Sequence, residues 1–174
     1  KLELYEKFIS EAGPYLYNIN LYFQGEPMLH PRFFSFVEKS GKSSVTVSTN
    51  GHFLTEENSH NLVRSGINKL IVSLDGMDSE TYSRYRTGGD LETVTTGIRN
   101  VSGELSKARS SLKLEIQFLV NRHNETQIPQ VKQFAHEMNA SLKLKSMQVI
   151  NNEKIEDWMP VNEKFRRYRR NNNG

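Results

Sequence analysis

The chain has 174 residues, a net charge of +3, 36% hydrophobic residues and 25% charged ones. That is one domain's worth of polypeptide with enough apolar content for a sizeable core, and no apolar run reaches the roughly 20 residues of a membrane span. The absence of cysteine excludes disulfides and thiolate metal sites within these residues.

In chain order, Leu2, Tyr5, Phe8, Ile9 and Ala12 share one helical face, and Gly13-Pro14 ends that helix. Residues 18–24 alternate Ile19, Leu21 and Phe23 with polar neighbours, a first strand that the spacing carries to Gln24. Gly25-Glu-Pro27 stops it: glycine admits backbone angles closed to other residues, and proline holds Glu26 extended. A short helix carries Phe33, Phe34, Phe36 and Val37, and Val45–Ser48 is the second strand. Thr55 caps the next helix, which carries Leu62 and Val63 and closes at Gly66. Leu70–Leu74 is the third strand, a short helix opens at Asp78 or Ser79, and Gly88-Gly89 breaks it.

Asp90 caps the best helix, with Leu91, Val94, Ile98, Val101 and Leu105 on one stripe. Leu112–Val120 reads as a fourth strand. Asn124 and Gln127 have the spacing of a capping box ahead of Ile128, Val131, Phe134 and Met138. Leu142–Met147 is the fifth strand.

Alternation of strand and helix means parallel strands joined by right-handed crossovers. Each strand has one apolar parity, as in Val45 and Val47 or Leu114, Ile116, Phe118 and Val120. The other parity is polar, as in Thr46, Ser48 and Asn50 or Glu115, Gln117 and Asn121. Parallel strands covered by helices on both faces would be apolar throughout. The expectation is therefore helices on one side and a polar, ligand-holding lumen on the other. No dinucleotide-binding glycine motif, Walker loop or nucleophile elbow occurs, and His30, His52, His60, His123 and His136 lack zinc-site spacing. Arg84 and Arg86, ahead of Gly88-Gly89, could reach an anionic substrate but read more readily as a solvated helix face, and Arg166–Arg170 with Tyr168 as a solvated linker rather than a grip on nucleic acid.

Gly25-Glu-Pro27, Ser48-Thr-Asn-Gly51 and Ser73-Leu-Asp-Gly76 close successive strands. In this order and spacing they resemble the radical S-adenosylmethionine superfamily. The closer likeness is to its peptide-modifying and sulfatase-maturing branch, which carries an auxiliary-cluster (SPASM) domain. It covers about Asn18 to Met147. The resemblance implies an α/β fold, a parallel (β/α)6 partial TIM-like barrel with five of its six strands in this chain. Residues 1–150 would form the truncated barrel and residues 151–174 a linker or tail toward a missing C-terminal domain.

The resemblance also implies two cofactors, S-adenosylmethionine and a [4Fe–4S] cluster. The family's CxxxCxxC cluster loop has no counterpart here, so the cluster's cysteine ligands lie outside this chain and no metal ligand is named within it. Reductive cleavage of S-adenosylmethionine would release a 5′-deoxyadenosyl radical, which takes hydrogen from a substrate such as a peptide or protein side chain. A reductant protein would supply the electron, in the cytoplasm and away from any membrane.

The cofactor can be matched group by group. Its ammonium suits Gln24, Gly25 and Glu26, with Pro27 shaping the loop. Its carboxylate suits Ser48 and Asn50, its ribose Ser73 and Asp75. Leu119 would face the adenine, with Gln117 and Asn121 the polar candidates beside it. No catalytic residue is named. Two other classes fit the same residues: a non-radical barrel enzyme using Glu26 and Asp75 as an acid–base pair, and a binding module that holds an adenosyl nucleotide without chemistry.

Overall fold

The computed structural model describes residues 1–148 and 155–167. Five strands form one sheet in sequence order: β1 (Asn18–Asn20), β2 (Ser44–Thr49), β3 (Lys69–Ser73), β4 (Lys113–Val120) and β5 (Ser141–Ser146). Every neighbouring pair is parallel. Between them run α1 (Leu2–Ala12), ahead of β1, then α2 (Phe33–Lys39), α3 (Glu56–Arg64), α4 (Ser79–Tyr85), α5 (Leu91–Lys107) and α6 (Ile128–Glu137). Among the described residues β1 and β5 are not paired with each other, so the sheet is open, consistent with part of a barrel. No helix among the described residues is long and apolar enough to cross a membrane.

The apolar parity of the strands builds the core. Val45, Val47, Leu70, Val72, Leu114, Ile116, Phe118 and Val120 pack in one cluster with Leu62 and Val63 of α3, Val94, Ile98 and Val101 of α5, and Val131 and Phe134 of α6. The helices start where the sequence places their caps. Thr55 accepts from the Asn58 amide, Asp78 from Thr81 and Asp90 from Thr93, each satisfying a donor that the helix leaves open. Two close approaches require glycine: a Cβ on Gly97 would lie 2.6 Å from Leu54 Cβ, and one on Gly76 2.5 Å from the Tyr82 nitrogen.

The polar parity forms the opposite face, with Ile71, 6% exposed, as an apolar exception. At its lower end Lys69 Nζ lies 2.6 Å from Glu115 Oε2.

Three local expectations are corrected. The first strand ends at Asn20, with a last ladder bond from the Leu21 amide to Thr46, and Phe23 is 94% exposed. Beyond Leu21 the segment has no partner strand, so alternation there carries no burial. The first helix has the expected face but buries no residue; the Tyr5 ring packs at a tilt against Phe36 and bonds Ser40 at its hydroxyl. Asn124 and Gln127 do not form a capping box. Their side chains instead pin the β4–α6 loop to the β3–α4 loop. Asn124 Nδ2 donates to the carbonyl of Asp75, and Gln127 Oε1 accepts from the Met77 amide at 2.7 Å.

A short helix, α7 (Ile155–Trp158), returns to the carboxyl end of β4. There the Arg122 amide donates to the Trp158 carbonyl, and the Trp158 ring meets Tyr85 and His123 edge-on. The expected boundary at residue 150, and Tyr168, Arg169 and Arg170 of the basic run, lie outside the described residues.

Candidate functional site at the strand ends

The carboxyl ends of β1 to β4 bring the candidate residues into two groups, those already committed to protein partners and those left open. Glu26 is committed. Its Oε1 accepts from the Met28 amide at 3.1 Å and Thr49 Oγ1 at 2.8 Å, and its Oε2 accepts from the Asn50 amide at 2.7 Å. The carboxylate thus ties the loop after β1 to the end of β2, and Pro27 opens the short 3-10 turn that follows. Gln24 and Gly25 stay exposed, and Gly25 has φ +86°, a region that favours glycine.

Asp75 is committed too. Only 1% of it is exposed; Oδ1 accepts from the Leu119 amide at 2.6 Å, and Oδ2 from Arg86 Nε at 2.7 Å. Burial pushes its carboxyl up, opposed first by the Arg86 guanidinium and then by the Leu119 amide. The sequence reading has Asp75 open to a ribose. In the structure both oxygens face protein donors, because the chain returns through α4 to bring Arg86 against them. Asn121 is also engaged: it is 1% exposed and its Oδ1 accepts from the His123 amide.

The open group is Ser48, Ser73 and Gln117. All three are partly buried on the polar face, and their side chains have no hydrogen-bond partner among the described residues. Ser73 and Gln117 are Cα partners across β3 and β4, so they stand side by side. Leu119 lies two residues further along the same face of β4, half-buried, its amide held by Asp75 and its carbonyl by Asn124. Asn50 joins them through one atom. Its Oδ1 accepts from the backbone and Nδ1 of His52, which leaves its amide nitrogen open.

Sequence reasoning missed Arg86, Asn124 and Gln127 as builders of this region. Arg86 carried a signal of sorts, a cation placed just ahead of a double glycine. Arg84 pairs with Glu80 on the surface of α4, as a solvated face would. Among the described residues no cluster of His, Asp and Glu could hold a metal ion.

The chain is similar to curated proteins. Over 123 residues the chain is 27% identical to a probable GTP 3′,8-cyclase of Methanococcus maripaludis, covering 69% of this chain and 39% of that protein. Over 136 residues it is 27% identical to an AdoMet-dependent heme synthase of Methanosarcina barkeri, covering 76% of this chain and 37% of that one. With the strand-end motifs, these relatives support a likeness to the radical S-adenosylmethionine superfamily.

Solved structures share the fold. Streptococcus suis SuiB bound to S-adenosylmethionine superposes with a TM-score of 0.68 at 15% identity, over 87% of this chain and 35% of that one. A domain of a pyruvate-formate lyase-activating enzyme from Bacteroides vulgatus gives 0.64 at 17%, over 84% and 86%. No protein-family model matches. The chain spans about two-fifths of the length of the curated relatives it matches.

Proposed function

We propose that this chain is the S-adenosylmethionine-binding part of the partial barrel of a radical S-adenosylmethionine enzyme. The observation that carries the reading is the set Ser48, Ser73 and Gln117, polar, partly buried and unpartnered among the described residues: Ser48 and Ser73 near the carboxyl ends of β2 and β3, and Gln117 on β4 beside Ser73. Strand ends of that kind are where α/β sheets and barrels bind ligands.

S-adenosylmethionine fits these groups. The exposed carbonyls of Gln24 and Gly25 receive its ammonium, Ser48 and the Asn50 amide nitrogen its carboxylate, and Ser73 with Gln117 its ribose. The Leu119 side chain faces the adenine. Glu26, Asp75 and Asn121 belong to the same site as positioning residues, since they hold the loops that carry those groups.

A [4Fe–4S] cluster does not fit these residues, because the chain offers no cysteine thiolate. In the whole enzyme the cluster would supply the electron for reductive cleavage, with ligands from outside these 174 residues. A peptide or protein substrate, an auxiliary-cluster domain beyond a linker at residues 151–174, a reductant protein and a cytoplasmic setting complete the proposal. SuiB, in a structure bound to its precursor peptide, superposes with a TM-score of 0.67, which supports the peptide reading at the level of fold. The acid–base alternative loses its pair, since Glu26 and Asp75 are both bound by protein donors.

Calorimetric titration with S-adenosylmethionine tests the reading. The chain is expected to bind, and Ser73→Ala or Gln117→Ala to weaken binding by about three- to tenfold, the worth of one neutral hydrogen bond. Failure to bind, or equal affinity in both variants, would remove it.

A further inference from the structure

Beside the strand ends lies a cavity of about 380 Å³, walled by Asn50, His52, Tyr82, Arg86, Gly88 and Gly89. Its polar side chains are unusual in what they leave open. Tyr82 is 1% exposed, and its hydroxyl, packed against Gly89, has no hydrogen-bond partner among the described residues. Arg86 spends Nε and Nη2 on Asp75, and its Nη1 has no partner among the described residues. Asn50 accepts twice from His52 at Oδ1, and its amide nitrogen is the one assigned above to the cofactor's carboxylate, so here Asn50 is wall and not donor. His52 accepts from the Asp90 amide at Nε2, so its acceptor is consumed.

Both open groups, the Tyr82 hydroxyl and the Arg86 guanidinium, can donate. Donors beside a cation select an anion, and Nη1 with the second hydrogen of Nη2 forms the guanidinium edge that suits the two oxygens of a carboxylate. With an ionised Asp75 behind it Arg86 adds no net positive charge to the cavity, which disfavours a phosphate dianion against a monoanion. The burial that raises the Tyr82 phenol keeps it protonated and able to donate.

We propose that this cavity is a carboxylate-binding subsite for the substrate, adjoining the S-adenosylmethionine cleft but separate from it. Calling the ligand a substrate rests on the function proposed above; the carboxylate chemistry does not.

The probe is acetate, titrated into the isotopically labelled chain against sodium chloride of equal ionic strength. The Gly88 and Gly89 amides and the Arg86 guanidinium are followed by NMR. Saturable shifts are expected. Tyr82→Phe, which keeps the buried ring and removes only the hydroxyl, should weaken acetate by about three- to tenfold. The same variant should leave S-adenosylmethionine affinity within about twofold of the parent, as measured by calorimetry. Non-saturating shifts, acetate affinity unaltered in Tyr82→Phe, or inorganic phosphate binding more tightly than acetate would overturn the subsite. Loss of S-adenosylmethionine affinity in Tyr82→Phe, or displacement of acetate by S-adenosylmethionine, would assign these donors to the cofactor's own carboxylate and overturn the separate site. Acetate saturation that depends on Tyr82 in a chain that binds no S-adenosylmethionine would uphold the subsite while the cofactor reading falls.

Discussion

Asp75 acts from beneath the strand-end face. Its two oxygens hold the Leu119 amide and the Arg86 guanidinium, joining the end of β4 to the end of α4. Asp75→Ala takes the acceptor from both. Breaking a fully buried ion pair costs about 3–5 kcal/mol, and Arg86 keeps 31% of its side chain exposed, so the lower end, about 3 kcal/mol, is expected. At about 2–4 °C per kcal/mol for a chain of this size, the melting temperature should fall by about 6–12 °C in a thermal scan. An unchanged melt with lost S-adenosylmethionine affinity would make Asp75 a ribose ligand instead.

Glu104 gives a pH signature. Arg64 first, then Lys107 and His60, draw its carboxyl down to about 2 from 4.5, against partial desolvation. A carboxyl lowered on folding stabilises the fold above its unfolded value, and that contribution fades as the pH falls through its folded one. Stability should therefore drop between about pH 4.5 and about pH 2, and Glu104→Gln should flatten this part of a denaturation-versus-pH curve.

At the scale of elements, α5 lies against the loop after β2 because residue 97 has no side chain. A Cβ there would meet Leu54 Cβ at 2.6 Å and the Gly51 carbonyl oxygen at 3.0 Å. Alanine gains about 1 kcal/mol in helix propensity, while overpacking costs about 1–3 kcal/mol. Because one clash is with backbone, Gly97→Ala is expected to destabilise by about 1–2 kcal/mol net in a urea titration.

The elements themselves were legible in the sequence. Thr55, Asp78 and Asp90 bond the helix amides that their sequence positions imply, and the apolar parity of β2 to β4 is the core face. What escaped was tertiary. Phe23 continues a two-residue period past the last residue with a partner strand, and period alone does not record where pairing stops. Asn124 and Gln127 show the three-residue spacing of a capping box, yet their partners lie in another loop. Asp75 sits on the polar parity, but only the return of Arg86 from α4 decides that it is covered. Parity finds the face; which groups on it remain open depends on side chains that arrive from elsewhere.

At the scale of the molecule, the sheet is graded from its middle to its edges. β2, β3 and β4 each have neighbours on both sides, whereas β1 is three residues long and β5 exposes four of its six. Opening free energies follow burial and ladder bonds. In native-state hydrogen exchange the amides of β2 to β4 are expected to be slowest, with β1 and β5 exchanging at least tenfold faster, a gap of about 1.4 kcal/mol. Uniform protection across the five strands would show a single cooperative unit. Four open lumen residues, Ser48, Asn50, Ser73 and Gln117, belong to the slow strands or their immediate ends, so the site would sit on the least mobile part of the chain.

The identity of spatial and sequence order has a consequence for biosynthesis. Among the described residues, each strand after β1 pairs with the strand made just before it. A nascent chain can thus add one β–α unit at a time to an existing edge, so each closing loop spans a single unit and its entropy cost stays small. Chains stalled after α3, α5 or α6 would then carry two, three or four strands already in their final order, each with an exposed edge ready for the next. The hazard is the same edge. While translation pauses it can pair with another ribosome's product, and it is safe only once the next strand has emerged.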